Sequence, residues 1–281
     1  MRLQICVANA IVLFLICDIG RFGIPGGKIC RKGAGICGKL SNFAISRSRL
    51  RRDIDEYPKQ PYNNMKKLEH LLAEKLLKVS AIKLQPDQPF TWASGWNSPI
   101  YTDNRRTLSY PAVRTFIKTE LCRTIMENFE TPDVIAGVAT GAIAQGALVA
   151  DMMGLPYIYV RSSPKDHGLE NLIEGNLVPG QKVLVIEDLV STGKSSLKAA
   201  EAIRMAGAEV IGMVAMFTYG FPVAEKCFNE AGIRLLTLSN YDALLDVALQ
   251  TGFIGKKDVA TLQEWRKDPA NWAPHRDNTI E

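Results

Sequence analysis

The 281 residues are 47% hydrophobic and 22% charged, an ordinary globular composition with enough apolar side chains to bury a core. The formal net charge is +5, but residues 1–64 hold 11 Lys/Arg against 4 Asp/Glu, which leaves 23 against 25 for residues 65–281. That slightly acidic body excludes a global attraction to nucleic acid.

Residues 1–64 read as a basic leader, unstructured or lying upstream of the native start. Leu3–Cys17 is an uncharged, mostly apolar run of 15 residues, short for a membrane span and close to the length of a signal-peptide core. No small-x-small cleavage site follows it, and the next forty or so residues are rich in Gly, Arg and Ser without periodicity. Met65 is expected to open the folded domain, residues 65–281. Cys122 and Cys227 are the body's two cysteines, and the chain has three histidines. No cysteine pair has close zinc-ligand spacing, so a reduced cytoplasmic protein is expected rather than a disulfide framework or a zinc site.

The leucines of Lys66–Val79 recur at helical spacing. A polar, turn-rich stretch follows, then a helix over Pro111–Asn128. From residue 133 short apolar runs alternate with helical patterns. Strands are expected at Asp133–Ala139, Tyr157–Arg161, Lys182–Ile186, Glu209–Phe217 and Ile233–Leu238. Helices are expected at Ala142–Met153, closed by Gly154, and at Ser195–Met205, ended by Gly207. Nearly all-apolar strands alternating with helices imply a parallel sheet buried on both faces, an α/β fold with a small N-terminal cap. The insert Ser162–Gly180 has no apolar rhythm; its Lys165-Asp166-His167 cluster favours a lid or binding loop over a plain hairpin.

The most informative stretch is Val183–Ser196, VLVIEDLVSTGKSS. A buried strand ends in Glu187 and Asp188, and Ser191-Thr192-Gly193-Lys194-Ser195 turns into a helix. Ligands of open α/β sheets bind at the carboxyl ends of strands, and a helix N-terminus favours an anion. Gly193-Lys194-Ser195 mimics the end of a P-loop, but that motif requires glycine where Asp188 stands. A carboxylate there opposes a triphosphate and suits sugar hydroxyls or a magnesium ion. The loop therefore reads as a ribose 5-phosphate grip, with acids for the 2- and 3-hydroxyls and amides for the phosphate.

EDLVSTGKSS resembles the phosphoribosyl diphosphate signature of type I phosphoribosyltransferases. FTWASGWNSPIYTDNR at 90–105, VIAGVATGAIAQGALVA at 134–150 and YVRSSPKDHGLENLIEG at 159–175 narrow the resemblance to the orotate phosphoribosyltransferase family. It runs from about Met65 to about Trp272. It implies a mostly parallel sheet flanked by helices, with a small N-terminal cap and a mobile catalytic loop. It also implies transfer of a phosphoribosyl group from phosphoribosyl diphosphate (PRPP) to orotate, giving orotidine 5-phosphate and diphosphate in pyrimidine synthesis. By this resemblance Arg161, Lys165 and His167 bind diphosphate, and Asp166 handles a proton. Glu187, Asp188, Leu189, Val190, Ser191, Thr192, Gly193, Lys194 and Ser195 hold PRPP. Tyr101, Thr102, Ser191 and Tyr219 face the base, with Arg105 a candidate for its carboxylate. Mg2+ would arrive with PRPP, with Asp188 a candidate ligand. The loop of one subunit of a homodimer would reach the neighbouring site, and neither nucleic acid nor membrane is an expected partner.

Gly137–Gly146 reads as a small backbone loop against the diphosphate, with helix packing the competing account of Gly146. Three positions depart from the family pattern. Ala93 and Ser162 stand where many relatives have lysine, and Tyr219 where many have arginine. Losing a cation at an anion site costs about 1–3 kcal/mol unless something compensates. The rival readings are transfer to another base and a non-enzymatic PRPP sensor; the latter usually carries a basic DNA- or RNA-binding face, which this body lacks.

Overall fold

A computed structural model describes residues 67–92, 95–163 and 172–273. The leader, Ala93, and Lys165, Asp166 and His167 lie outside the described residues.

The chain opens with α1 (Leu68–Lys78), within the expected helix. Four short strands follow: β1 (Ile82–Leu84), β2 (Phe90–Thr91), β3 (Asn97–Ser98) and β4 (Ile100–Thr102). β1 pairs antiparallel with β4, and β2 with β3. Strands of two or three residues carry too little alternation to be read from sequence. A 3-10 turn over Asn104–Ser109 leads into α2 (Pro111–Asn128), whose proline fits the first turn because no helical partner exists for an amide there.

The main sheet has six strands. After β5 (Val134–Val138), α3 (Ile143–Met153) ends on Gly154 in the left-handed conformation. β6 (Tyr157–Val160) and β7 (Ile173–Glu174) come next, then β8 (Lys182–Val190) and α4 (Lys194–Met205). β9 (Glu209–Thr218), α5 (Pro222–Glu230), β10 (Leu235–Asn240), α6 (Tyr241–Gln250) and α7 (Lys256–Lys267) complete it. The strand order is β10-β9-β8-β5-β6-β7, parallel throughout except for the β6–β7 pair.

Side chains of β5 alternate between two apolar layers, as the two-residue period of a strand requires. Val134, Ala136 and Val138 join Ala199, Ile203 and Phe228 of α4 and α5 on one face. Ile135 joins Leu121, Val149, Leu244 and Trp265 of α2, α3, α6 and α7 on the other. Leu72 and Leu76 of α1 belong to that second layer and are fully buried, so replacing either with alanine costs about 2–5 kcal/mol. Trp272 is buried too, which docks the start of the C-terminal tail.

Two strands, β8 and β10, depart from expectation by more than one residue. β8 runs four residues beyond Ile186, through both acids, because β9 pairs with it as far as Val190↔Thr218. Tertiary pairing outweighs the low strand propensity of Glu and Asp. β10 starts at Leu235 rather than Ile233. Ile233 instead closes α5: its amide donates to Phe228 O at 3.1 Å, after Gly232 takes φ +61°. That is a left-handed helix stop, with Ile233 as its buried apolar partner.

Candidate active site

The carboxyl end of β8 brings the expected acids together in unequal settings. Glu187 is buried, accepting from Ser196 Oγ at 2.7 Å and from the Asp188 amide at 3.0 Å. Burial, then the charge of Asp188, pushes its carboxyl well above the ordinary range. Glu187 thus ties the strand end to the first turn of α4. Asp188 is half-buried, and burial raises its carboxyl as well. Its carboxylate stands so close to Gly141 that a Cβ there would collide with it.

The turn into α4 passes through Gly193, whose φ of +81° is a conformation glycine adopts without strain. Ser191 and Thr192 are half-buried, and Lys194 and Ser195 are exposed. The first amides of α4 have no intrahelical acceptor, so they point an array of donors past the end of β8. Val190 contributes differently: its side chain is buried in the core, and its carbonyl accepts from Thr218 Oγ1 and the Tyr219 amide.

Beside this turn lies a cavity of about 320 Å3. Tyr101, Thr102, Ser191 and Tyr219, all expected at the base, line it, with Thr91, Trp92 and Leu189. Trp92 was not anticipated. Its ring stacks on Tyr219 with centroids 5.6 Å apart, and its Nε1 donates to Ile100 O at 3.0 Å. An aromatic beside the quoted Phe-Thr pair was the available signal. Tyr219 is almost fully buried; its hydroxyl donates to Thr102 Oγ1 at 3.0 Å, and burial keeps it protonated. Arg105 does not line the cavity: its Nε donates to Asp103 at 2.6 Å, and this bond holds the Asp103 carboxyl below its usual range.

Arg161 follows β6 and its guanidinium lies 3.5 Å from Glu174 of β7. Gly137 and Gly146 both sit where a side chain has no room. A Cβ on Gly137 would strike the Tyr157 hydroxyl, and one on Gly146 would come within 2.9 Å of the Tyr157 ring and 3.2 Å of Gly137 Cα. Among the described residues, no group of three or more His, Cys, Asp or Glu side chains could hold a metal, and no helix is long and apolar enough to cross a membrane.

An acidic strand end, a glycine turn onto a helix N-terminus and an adjoining aromatic cavity on a parallel sheet accord with the type I phosphoribosyltransferase class, to which the domain match and the similar structures assign the fold. Residues 115–228 match the phosphoribosyl transferase domain. The chain is 69% identical to orotate phosphoribosyltransferase of Bacteroides fragilis over 208 residues, 74% of this chain and 98% of that protein. Orotate phosphoribosyltransferase from Aeropyrum pernix is similar in structure, with a TM-score of 0.57 and 28% identity, covering 66% of this chain and 99% of that one. The Mycobacterium tuberculosis enzyme in complex with 5-phospho-alpha-D-ribosyl 1-diphosphate has a TM-score of 0.51 and 26% identity, covering 65% and 99%. The chain belongs to the orotate phosphoribosyltransferase family.

Proposed function

We propose that the chain transfers the 5-phosphoribosyl group of PRPP to orotate, releasing diphosphate and forming orotidine 5-phosphate for pyrimidine synthesis. The supporting observation is a shared segment: Leu189 and Ser191 line the base cavity, while Asp188 and Thr192–Ser195 on either side present the acid and the amide-bearing turn. A base in the cavity and a ribose 5-phosphate on the turn would lie next to each other, as in-line transfer at the anomeric carbon demands.

Each group has a role in that reaction. Amides at the start of α4 take the 5-phosphate, and Asp188 accepts from the ribose hydroxyls. Ser191 offers a hydroxyl to the base. With the Tyr219 hydroxyl donating a hydrogen bond to Thr102, the Thr102 hydroxyl can donate in turn to a ligand oxygen, a neutral pair where many relatives have an arginine at position 219. Arg161, with Lys165 and His167, neutralises the diphosphate as it leaves, and Asp166 handles a proton. Electrostatic stabilisation of this kind is commonly the largest catalytic contribution. The half-buried Asp188 carboxylate, a hard oxygen donor, suits a cation whose other ligands are substrate oxygens. Mg2+ bound with PRPP, with Asp188 a ligand, would offset the diphosphate charge. The loop at 162–180 would reach a partner's site in a homodimer, and two free cysteines in the body accord with a reduced cytoplasmic setting.

Orotate absorbance, followed with the full chain, PRPP and Mg2+, tests this reading. The account expects loss of orotate with little turnover of uracil. Lys165→Ala abolishes the reaction, and Asp188→Asn lowers its rate on the order of 10²–10³-fold. Unchanged rates in both variants contradict the site.

A further inference from the structure

We propose that Asn104 is a positioning residue that sets the acid of the sugar site against the base cavity; this rests on the function proposed above. The need for it arises in the sheet. β5 pairs with β8 only as far as Gly137↔Ile186, whereas β9 continues alongside to Val190. Beyond Ile186 the β5 side of β8 has no strand neighbour among the described residues, and there the carbonyl of Asp188 accepts from Asn104 Nδ2 at 2.6 Å. The side-chain amide substitutes for the strand that has ended. The opposite amide orientation would press two oxygens together, so the hydrogen bond fixes which way Asn104 points.

Asn104 is itself held. It is 2% exposed, and its own carbonyl accepts from Thr107 Oγ1 at 2.6 Å within the 3-10 turn. Gln145 of α3 reaches the same Thr107 hydroxyl at 3.5 Å. Thr102, which lines the base cavity, is two residues upstream of Asn104. A single short bond, across 84 residues of sequence, thereby links the cavity wall to the peptide that carries Asp188.

The remaining atom of the amide argues that stability is not its purpose. Asn104 Oδ1 is buried without a hydrogen-bond partner. A buried acceptor lacking a donor destabilises a fold; leucine removes that cost at Oδ1 but leaves the Asp188 carbonyl without its donor, so the two changes oppose each other in stability. What leucine cannot do is hold the Asp188 peptide in place. Stability and turnover should therefore separate.

The test uses Asn104→Leu in the full chain, with thermal unfolding and steady-state kinetics in both substrates. We expect a Tm close to wild type, a kcat lowered roughly tenfold by misalignment of base and ribose, and both KM values within about threefold. An unchanged kcat overturns the inference, as does a loss of activity that only follows a lowered Tm. If Asn104→Leu does not fold, Asn104→Ser, too short to reach Asp188, is read in the same way. Hydrogen exchange over residues 186–191 reports the bond without turnover: faster exchange in the variant supports it, and identical exchange overturns it. Wild-type turnover of orotate judges the functional reading, and the exchange difference judges Asn104 independently.

Discussion

The proposed sugar-phosphate grip and the proposed base cavity adjoin each other, yet they are built in opposite ways. The grip is continuous: residues 187–195 supply the acids, the glycine turn and the first helical amides in sequence order. The cavity is assembled from Thr91 and Trp92, Tyr101 and Thr102, Leu189 and Ser191, and Tyr219, side chains brought together by packing. The grip depends on backbone geometry and tolerates little displacement. The cavity depends on side-chain surfaces, where one contact can be lost without losing the others.

That contrast can be broken by single substitutions. The largest effect is expected at Gly141, where an added methyl would occupy the space of the Asp188 carboxylate. Gly141→Ala should lower kcat/KM on the order of 10²-fold, as misplacement of about 1 Å can do. Full activity in that variant would mean the grip is as forgiving as the cavity.

A smaller change is expected at Tyr219. Tyr219→Phe removes the donor to Thr102 but keeps the ring that stacks on Trp92. The orotate KM should rise roughly fivefold, in line with one net hydrogen bond of about 1 kcal/mol, with the KM for PRPP unchanged. Equal changes in both constants would erase the boundary between the two regions.

The smallest effect concerns stability. Glu187 holds its proton more tightly folded than unfolded, because burial disfavours its charge. The stability from this group is complete below the ordinary carboxylate range and is lost as pH rises through its elevated folded pKa. Glu187→Gln should therefore raise Tm at pH 7, with a gain that shrinks towards pH 4. A gain independent of pH, or a lower Tm at pH 7, would show that the Ser196 bond outweighs the buried charge.

The same contrast explains what was legible in sequence. The order of the parallel strands and of α1 to α4 followed from apolar runs and glycine stops, as did the strand-turn-helix order of residues 187–195, whereas α5, α6 and α7 were not anticipated. β7 and the hairpins of the N-terminal cap escaped because two or three residues show no period. Trp92 and Asn104 escaped because their meaning depends on Tyr219 and Asp188, more than eighty residues away. The reach of β8 to Val190 was set by β9, a partner that local propensity cannot see.

The most direct measurement is a crystal structure of the chain with PRPP and Mg2+. The account predicts ribose hydroxyls within hydrogen-bonding distance of Asp188 and the 5-phosphate on the amides of Thr192–Ser195, with the anomeric carbon facing the cavity of Tyr101 and Tyr219. A sugar phosphate bound away from the end of β8, or Asp188 turned from every ligand atom, would contradict it.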